Sequence, residues 1–449
     1  DRITSVKRYD GQTPLDPSVL PQHYTLKLEI NPLKDTFAGR AILTLGLSKK
    51  TRLIPLHAGD LSIESVNVEQ DGIVSQAEPI SGPNGGLLIR TAAALEPGDV
   101  VVTIRYTGRI QKRLAGLRRI PAQDGQYLLT QTKFGQAQRI FPCMNHPALK
   151  APIKLYLTIP NGWMAVANKR QVETKIGAAD REIQFAESQP MEPDMLMFAI
   201  GKFAVTAVAD DKQKPAVRVV TTEKNQALAS GLSEAIGQVI DELSSFFGHR
   251  LEHKLDLLAL PNLGVQMMDA PGLFVFRDTS VLRAPDGKSS NRNQRLMHTL
   301  RTQLSRRWIG HSVSMESRDD LWLYEGLVVW MRDQIGRSRD GLTTGKELLV
   351  PWLINSELIQ RPAAIKPSVV RQVSTPRPMS ELALGRVYAL VSMIDNYLGK
   401  GQLKTALKAL TKAKQNNGVS AKEILSFLDA QSGSNTEKIA KWYLNQTGV

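Results

Sequence analysis

The polar residues that could do chemistry together lie in one stretch, 291–336, where the sequence predicts two helices joined by a short turn. The first predicted helix carries His298, and the second carries Glu325. Imidazole and carboxylate groups bind zinc, but a catalytic zinc site takes at least three protein ligands. These two residues are one ligand short, and we interpret His298 as a surface or capping residue. We therefore expect no metal and no other cofactor.

Two further residues are candidate nucleophiles, Ser305 and Cys143. A catalytic serine or cysteine needs a neighbouring base that is itself oriented by a third group. The sequence offers Ser305 no plausible His/Asp pair. Cys143 is the single cysteine, so neither an intrachain disulfide nor a Cys-based zinc site can form. A hydrolase of altered chemistry stays an alternative function whose catalytic residues the sequence does not assemble.

Length and composition indicate a globular protein of more than one domain. The chain has 449 residues, of which 42% are hydrophobic and 22% charged. The apolar runs Val100–Ile104 and Leu348–Leu353 are far shorter than the ~20 residues of a membrane-spanning helix. The chain opens at Asp1 rather than Met, which indicates that an initiator Met, a signal peptide or a longer leader was removed or omitted. We expect export, either to a periplasm or by secretion.

The chain carries 57 Lys and Arg against 43 Asp and Glu, a net charge of +14. Such a charge suits an acidic protein, a nucleic acid or an anionic membrane surface. The sequence contains no nucleic-acid-binding motif, so we interpret the charge as a solvated basic surface and expect no nucleic-acid partner. Binding to an anionic surface or nucleic acid through this charge stays a further alternative.

Residues 1–205 have the pattern of a β-rich domain. Apolar and polar residues alternate from Tyr24 to Ile30, as in a strand with one buried face. Similar segments are separated by Gly-, Pro- and Asn-rich turns at 82–86, 96–99 and 160–162. Many short strands with such turns predict an antiparallel, sandwich-like or saddle-shaped domain.

Residues 206–449 have mainly helical periodicity. Apolar residues recur at helical spacing from Leu228, one short strand is predicted at Leu255–Leu260, and the basic tail 403–444 is again helical. We therefore predict an α+β protein with an N-terminal domain at 1–205 and a second domain at 206–449.

Several segments resemble the aminopeptidase N family of zinc peptidases, which are gluzincins. Residues 127–131 and 139–151 resemble a family signature, and Trp308–Gly310 and Trp322–Gly326 resemble the flanks of its zinc motif. The end, Trp442–Gly448, looks like the close of the family's catalytic domain. The resemblance covers nearly the whole chain. It implies an N-terminal β domain followed by a thermolysin-like, mainly α domain.

The resemblance also assigns positions to the zinc site. The family binds zinc through an H-E-x-x-H helix, whose Glu is the general base, and through a Glu on the next helix. In register with Trp308, the ligand positions hold Thr302 and Arg306, the base position holds Gln303, and the third ligand position holds Glu325. Thr is a poor ligand, Arg offers no lone pair and Gln is no base. The resemblance thus implies a degenerate member that lacks the zinc motif.

Three more family positions differ. The G-A-M-E-N loop, which holds the substrate amine, aligns with 266–270, where Asp269 keeps a carboxylate. A second amine contact, a Glu in the family, aligns with Lys133, and the transition-state Tyr aligns with Leu384, one turn before Tyr388. From these departures together we predict that the chain is not an enzyme but an inactive homologue.

A buried Glu325 without a metal would be costly, so it needs a counter-charge. We predict that Arg306 and Glu325 form a structural ion pair that replaces the metal bridge, with Thr302 and Gln303 adding hydrogen bonds. In the alternative, Arg306 points to solvent and Glu325 bonds backbone groups.

The function predicted from this pattern is that of a non-catalytic binding or scaffold subunit. A protein partner or larger assembly is expected: either the former active-site cleft holds a peptide or acidic ligand, or the outer surface docks a larger assembly. The alternatives are the altered hydrolase and the anionic-surface binder described above.

Overall fold

The computed structural model describes residues 9–11, 15–133, 135–146, 148–208, 217–250, 254–282, 290–340 and 381–445. The apolar run Leu348–Leu353 lies outside these residues, as do positions 446–448 of the motif at the chain end. No helix in the described ranges has the length and apolar character needed to cross a membrane.

Strands dominate the first two hundred residues, which confirms the predicted β-rich N-terminal domain. In chain order they are β1 (Val19–Glu29), β2 (Thr36–Leu47), β3 (Thr51–His57), β4 (Ser62–Gln70), β5 (Ile73–Gln76), β6 (Glu78–Ser81), β7 (Gly86–Leu95), β8 (Gly98–Arg109), β9 (Gly116–Ala122), β10 (Gly125–Gln131), β11 (Ile153–Pro160), β12 (Met164–Ala167), β13 (Gln171–Ile176), β14 (Asp180–Phe185) and β15 (Phe198–Gly201).

These strands form three sheets with orders β13-β14-β11-β1-β2-β8-β4-β5, β12-β15-β10-β9 and β3-β7-β6. The alternation from Tyr24 lies on β1 and ends at Ile30, directly after it. Tyr24, Leu26 and Leu28 are buried in the main core. Pairing is antiparallel as predicted, with one exception. Strand β1 pairs in parallel with β11, which the long intervening chain permits because parallel strands need a crossover connection.

A five-stranded sheet with order β16-β17-β18-β20-β19 follows. Its strands are β16 (Phe203–Ala207), β17 (Val217–Thr222), β18 (Leu255–Leu260), β19 (Met267–Ala270) and β20 (Leu273–Arg277). The sequence predicted β18 alone. Strands β17, β18 and β20 run in parallel, and every residue of β18 is buried. Strands enclosed on both faces lose the alternation that marks a half-exposed strand.

The rest of the described chain is mainly helical, as predicted for the C-terminal region. The helices are α1 (Ala229–Phe247), α2 (Asp278–Val281), α3 (Ser290–Ser305), α4 (Leu321–Asp340), α5 (Glu381–Leu398), α6 (Gln402–Ala413), α7 (Ala421–Ser432) and α8 (Thr436–Asn445). Two short strands, β21 (Val313–Met315) and β22 (Asn417–Val419), pair in parallel.

The chain forms two compact units that do not follow the sequence linearly. The first comprises 1–206, 217–229 and 254–282, and the second comprises 207–216, 230–253 and 283–449. In the first unit, Tyr127 and Leu129 of β10 share a core with Leu258 of β18 and Val275 of β20. The predicted domain boundary at residue 205 stays a prediction.

Within the second unit, the segment after α3 is fixed by packing. Trp308 is fully buried and stacks on Phe247 with 5.1 Å between ring centroids. Gly310 has φ +133, a conformation that favours glycine, and the chain turns there into β21. On α4, a Cβ at Gly326 would lie 3.0 Å from the Val387 carbonyl oxygen, so α4 and α5 meet closely. These contacts fix the backbone close to Arg306, which lies two residues before Trp308, and to Glu325, which directly precedes Gly326.

The two short strands add a further tie to α4. The Tyr324 hydroxyl lies 2.9 Å from the Ser314 carbonyl oxygen on β21 and 2.8 Å from that of Val419 on β22, and donates to them. Burial raises the pKa of this phenol, so the group stays a neutral donor. Tyr324 thereby anchors the start of α4, next to Glu325.

Candidate functional site

The predicted partners Arg306 and Glu325 lie together in the second unit. Arg306 follows the end of α3, and its Nη2 donates to Glu325 Oε2 on α4 at 2.7 Å while Nη1 donates to Oε1. The side chains are 21% and 14% exposed. Each carboxylate oxygen thus takes one guanidinium nitrogen, the two-point geometry that gives the strongest charge-assisted hydrogen bonds.

The two neighbours expected to support this pair behave differently. Gln303 Oε1 accepts a hydrogen bond from Arg306 Nε at 3.0 Å, so it fixes the plane of the guanidinium group. The Thr302 hydroxyl instead donates to the His298 carbonyl oxygen at 2.8 Å. Among the described contacts, Thr302 makes no hydrogen bond to Arg306 or Glu325. Threonine in a helix commonly bonds the carbonyl oxygen four residues back, and Thr302 does so here.

His298 is not the surface or capping residue that we expected. It is half-buried on α3, and its pKa is lowered to about 4. Burial is the main cause, and the positive charges of Arg332 and Arg301 add to it, while Asp333 acts in the opposite direction. The imidazole is therefore neutral at physiological pH.

The helix α5 carries the position aligned with the family's transition-state Tyr. Leu384 is half-buried there, and Tyr388 lies one turn further along. The Tyr388 hydroxyl donates to Asp333 Oδ2 on α4 at 2.8 Å, and both side chains are buried. Tyr388 thus contributes a buried hydrogen bond between α5 and α4.

In the first unit, Lys133 and Asp269 form an ion pair. Lys133 Nζ donates to Asp269 Oδ1 at 2.5 Å. Asp269 belongs to β19 rather than to a loop, and β19 pairs antiparallel with β20. The carboxylate at this position is thus neutralised by a cation of the chain itself.

The candidate nucleophiles are both enclosed. The Ser305 hydroxyl is buried and donates to the Arg301 carbonyl oxygen at 2.6 Å. Cys143 is buried, and burial, reinforced by Asp194, raises the pKa of its thiol well above the ordinary value. Since the thiolate is the reactive form, these surroundings make Cys143 a poor nucleophile.

Sequence reasoning missed a buried ion pair between α1 and α3. Arg301 Nε and Nη2 donate to the Glu242 carboxylate at 2.8 and 3.1 Å, and both side chains are almost fully buried. The sequence could have predicted this pair, because Glu242 lies between Val239 and Phe246 on the apolar face of α1. A charge at a core position implies a buried partner.

The residues around Glu325 do not fit a zinc ion. Both Glu325 oxygens bind the Arg306 guanidinium, and Arg306 offers no lone pair. The Thr302 hydroxyl is engaged with its own helix. Across the described part of the chain, no three His, Cys, Asp or Glu side chains come close enough together to hold a metal ion. The alignment of Thr302, Gln303 and Arg306 with the family's ligand and base positions stays a prediction.

The fold and these motifs agree with comparisons to known proteins. The peptidase M1 N-terminal domain matches residues 20–193, and the peptidase family M1 domain matches residues 234–443. The chain belongs to peptidase family M1. This M1 chain is 22% identical to aminopeptidase M1 of Arabidopsis thaliana, over 98% of this chain and 52% of that protein.

Two further M1 relatives show the same coverage. The chain is 22% identical to aminopeptidase M1-C of Oryza sativa subsp. japonica, over 99% of this chain and 51% of the relative. It is 23% identical to the puromycin-sensitive aminopeptidase of Caenorhabditis elegans, over 95% of this chain and 47% of the relative. The chain thus spans about half the length of these curated relatives.

These matches correct one prediction. The chain was predicted not to be an enzyme, from the residues at the aligned zinc positions. That prediction is wrong, because the matching family is a peptidase family and the relatives are named as aminopeptidases. The departures at Thr302, Gln303 and Arg306 describe the local chemistry of α3 and do not decide the activity of the protein.

Proposed function

We propose that this M1-family chain binds peptides or other acidic ligands at Arg306 and serves as a binding subunit of a larger assembly. The observation that carries the proposal is the fixed, partly exposed guanidinium group of Arg306. Gln303 and Glu325 hold it in one orientation, and 21% of the side chain is open to solvent. A planar guanidinium recognises carboxylates through two parallel hydrogen bonds.

Glu325 has a second role in this proposal. It neutralises Arg306 while no ligand is present, and an incoming carboxylate exchanges with it for the guanidinium nitrogens. Gln303 accepts a hydrogen bond from Nε, so one contact of the guanidinium does not depend on which carboxylate binds its Nη atoms. Acidic ligands should therefore bind more tightly than neutral ones of the same shape.

Fluorescence anisotropy with a labelled tetraglutamate peptide tests this. The tetraglutamine peptide is the matched neutral ligand, and Arg295→Gln, an exposed position on α3, is the matched protein control. We expect Arg306→Gln to weaken tetraglutamate binding about tenfold, because a charge-assisted hydrogen bond contributes roughly 1.5–3 kcal/mol. Equal dissociation constants for wild type, Arg306→Gln and Arg295→Gln would contradict the proposal.

The second candidate function is a peptidase of altered chemistry. The family and the names of the relatives favour it. Release of a fluorophore from an aminoacyl reporter by the purified protein, with and without chelator, tests this candidate. Fluorophore release by wild type that is lost in Glu325→Gln supports a peptidase whose active site includes Glu325. If wild type releases the fluorophore no faster than buffer alone, this candidate is contradicted.

A further inference from the structure

The largest sheet in the first compact unit has an exposed strand, β13, at one edge. The sheet order is β13-β14-β11-β1-β2-β8-β4-β5, and among the described strands β13 pairs with β14 alone. All six residues of β13 except Thr174 are exposed, and Ile176 keeps 76% of its surface open to solvent. An edge strand presents a row of backbone N–H and carbonyl groups to which a further strand can add. The edge of β13 is therefore a candidate interaction surface.

Glu173 and Lys175 give this edge a defined charge pattern. They lie two positions apart on β13, so their side chains share one face of the sheet. Lys175 Nζ lies 3.7 Å from Glu173 Oε1, and both side chains are more than half exposed. On the neighbouring strand, Glu182 lies opposite Lys175, whereas the uncharged Gln184 lies opposite Glu173. The lysine thus has an acidic neighbour on β14, and the glutamate has a neutral one.

The charges of β13 are complementary to a second copy of the same strand. When two copies meet in antiparallel orientation about a two-fold axis at Thr174, Glu173 of each copy lies opposite Lys175 of the other. Opposite charges on directly opposed residues of neighbouring strands attract each other. The exposed apolar residues Val172 and Ile176 flank these charges, so a strand laid along this edge also covers apolar surface.

Other ways of pairing β13 place like charges together or leave its charges without a partner. An antiparallel pair centred on Glu173 or on Lys175 opposes two groups of the same sign, and an in-register parallel pair opposes both sets. The strand at the opposite edge of the sheet, β5, has the sequence Ile-Val-Ser-Gln and offers no charge to β13. The antiparallel arrangement about Thr174 is therefore the one that the charges favour.

We propose that two copies of this chain associate through β13, antiparallel about Thr174, and so join their eight-stranded sheets. The contact is isologous, because the same surface serves both copies, and it closes at the dimer. A bulge between Gln171 and Glu173 limits the regular part of β13 to 173–176, so the contact is short. It buries less than the ~1,600 Å² of a standard interface, and we expect a dissociation constant of about 10–100 μM. This association does not involve Arg306 and is independent of the ligand proposed for it.

Sedimentation velocity of the whole chain, from about 2 to 200 μM, tests the association. Wild type should shift from monomer to dimer over this range. Glu173→Lys opposes like charges at two places in the dimer and should weaken association at least about tenfold. The exchange Glu173→Lys with Lys175→Glu keeps opposite charges opposed and should recover the dimer. Val74→Lys, at an exposed position on β5, is the matched control and should associate as wild type does.

Disulfide trapping locates the two-fold axis. Cys143 is the single cysteine and is buried, so a thiol introduced at the surface reports by itself. In Thr174→Cys the two thiols belong to directly opposed residues, whose Cα atoms lie about 4.5–5.5 Å apart, within the range of a disulfide. Oxidation should therefore give a covalent dimer, whereas Val74→Cys should stay monomeric. A wild type that is monomeric throughout, a dimer that Glu173→Lys leaves intact, or equal cross-linking of the two cysteine variants would overturn the proposal.

Discussion

Arg306 and Glu325 meet with two nitrogen–oxygen contacts, although they lie nineteen positions apart on either side of the turn between α3 and α4. The contact joins the end of α3 to the first turns of α4. Trp308 and Gly326, the neighbours of these residues in the chain, are fixed by packing against Phe247 and Val387. The elements that carry the two residues are therefore held in place by packing as well as by the ion pair.

In the first unit, the Lys133–Asp269 ion pair should contribute to stability. Lys133→Met removes the Lys133 ammonium group from the largely buried Asp269 carboxylate, and we expect a loss of about 1 kcal/mol in the free energy of unfolding. Urea unfolding measures this loss. The difference from wild type should shrink in 1 M salt, which weakens attraction between partly exposed charges.

Two matched variants control this prediction. Lys50→Met breaks the exposed Lys50–Glu96 pair and should leave stability close to that of wild type. The exchange Lys133→Asp with Asp269→Lys should recover most of the lost stability. An exchange variant no more stable than Lys133→Met would show that the charge pairing itself contributes nothing.

The buried Arg301–Glu242 pair between α1 and α3 predicts a much larger effect. Arg301→Met removes the cation from the buried Glu242 carboxylate, which keeps only the hydrogen bond from Gln238 Nε2 among its described contacts, and we expect a cost of about 3–5 kcal/mol. Adding Glu242→Met should restore most of this stability, because two apolar side chains then fill the same space. Arg295→Met, on the exposed face of α3, is the control. Equal stability of the single and double variants would contradict this account.

His298 should make stability depend on pH. Its pKa is about 4 in the folded protein against 6.5 for an ordinary imidazole, so between these values only the unfolded chain binds the proton. The contribution is complete above pH 6.5 and is lost as pH falls towards 4, on the order of 2–3 kcal/mol.

Chemical unfolding of wild type and His298→Gln from pH 4 to 7.5 measures this contribution. The variant should lose less stability than wild type as the pH falls, because the amide of a glutamine side chain does not titrate. Parallel profiles for wild type and His298→Gln would show that His298 does not carry the dependence.

The sequence predicted those helices and strands in which apolar residues recur at a regular spacing. The alternation on β1 and the helical spacing on α1 are visible because each element has one buried face. Strands β17 and β20 were missed because they are short and largely buried, so neither shows a regular alternation of apolar and polar residues. The tail 403–444, predicted as helical, also contains β22, whose pairing with β21 depends on a long-range contact.

The sequence predicted site residues only where the motifs at Trp308–Gly310 and Trp322–Gly326 could be aligned with those of the family. Those motifs put Arg306 and Glu325 on neighbouring elements, which is where the structure has them. The lowered pKa of His298 could not be predicted, because it depends first on burial of the side chain and then on the charge of Arg332 from another helix. The Thr302 hydroxyl bonds its own helix, a local preference that competes with any contact across the pair.

The most direct test of the central claim, that Arg306 and Glu325 tie α3 to α4, is a double-mutant cycle on the free energy of unfolding. The variants are Arg306→Gln, Glu325→Gln and the two combined. We predict a coupling energy of about 1.5–3 kcal/mol, with the double variant little less stable than either single variant. Additive losses, with a coupling energy below about 0.3 kcal/mol, would contradict the claim.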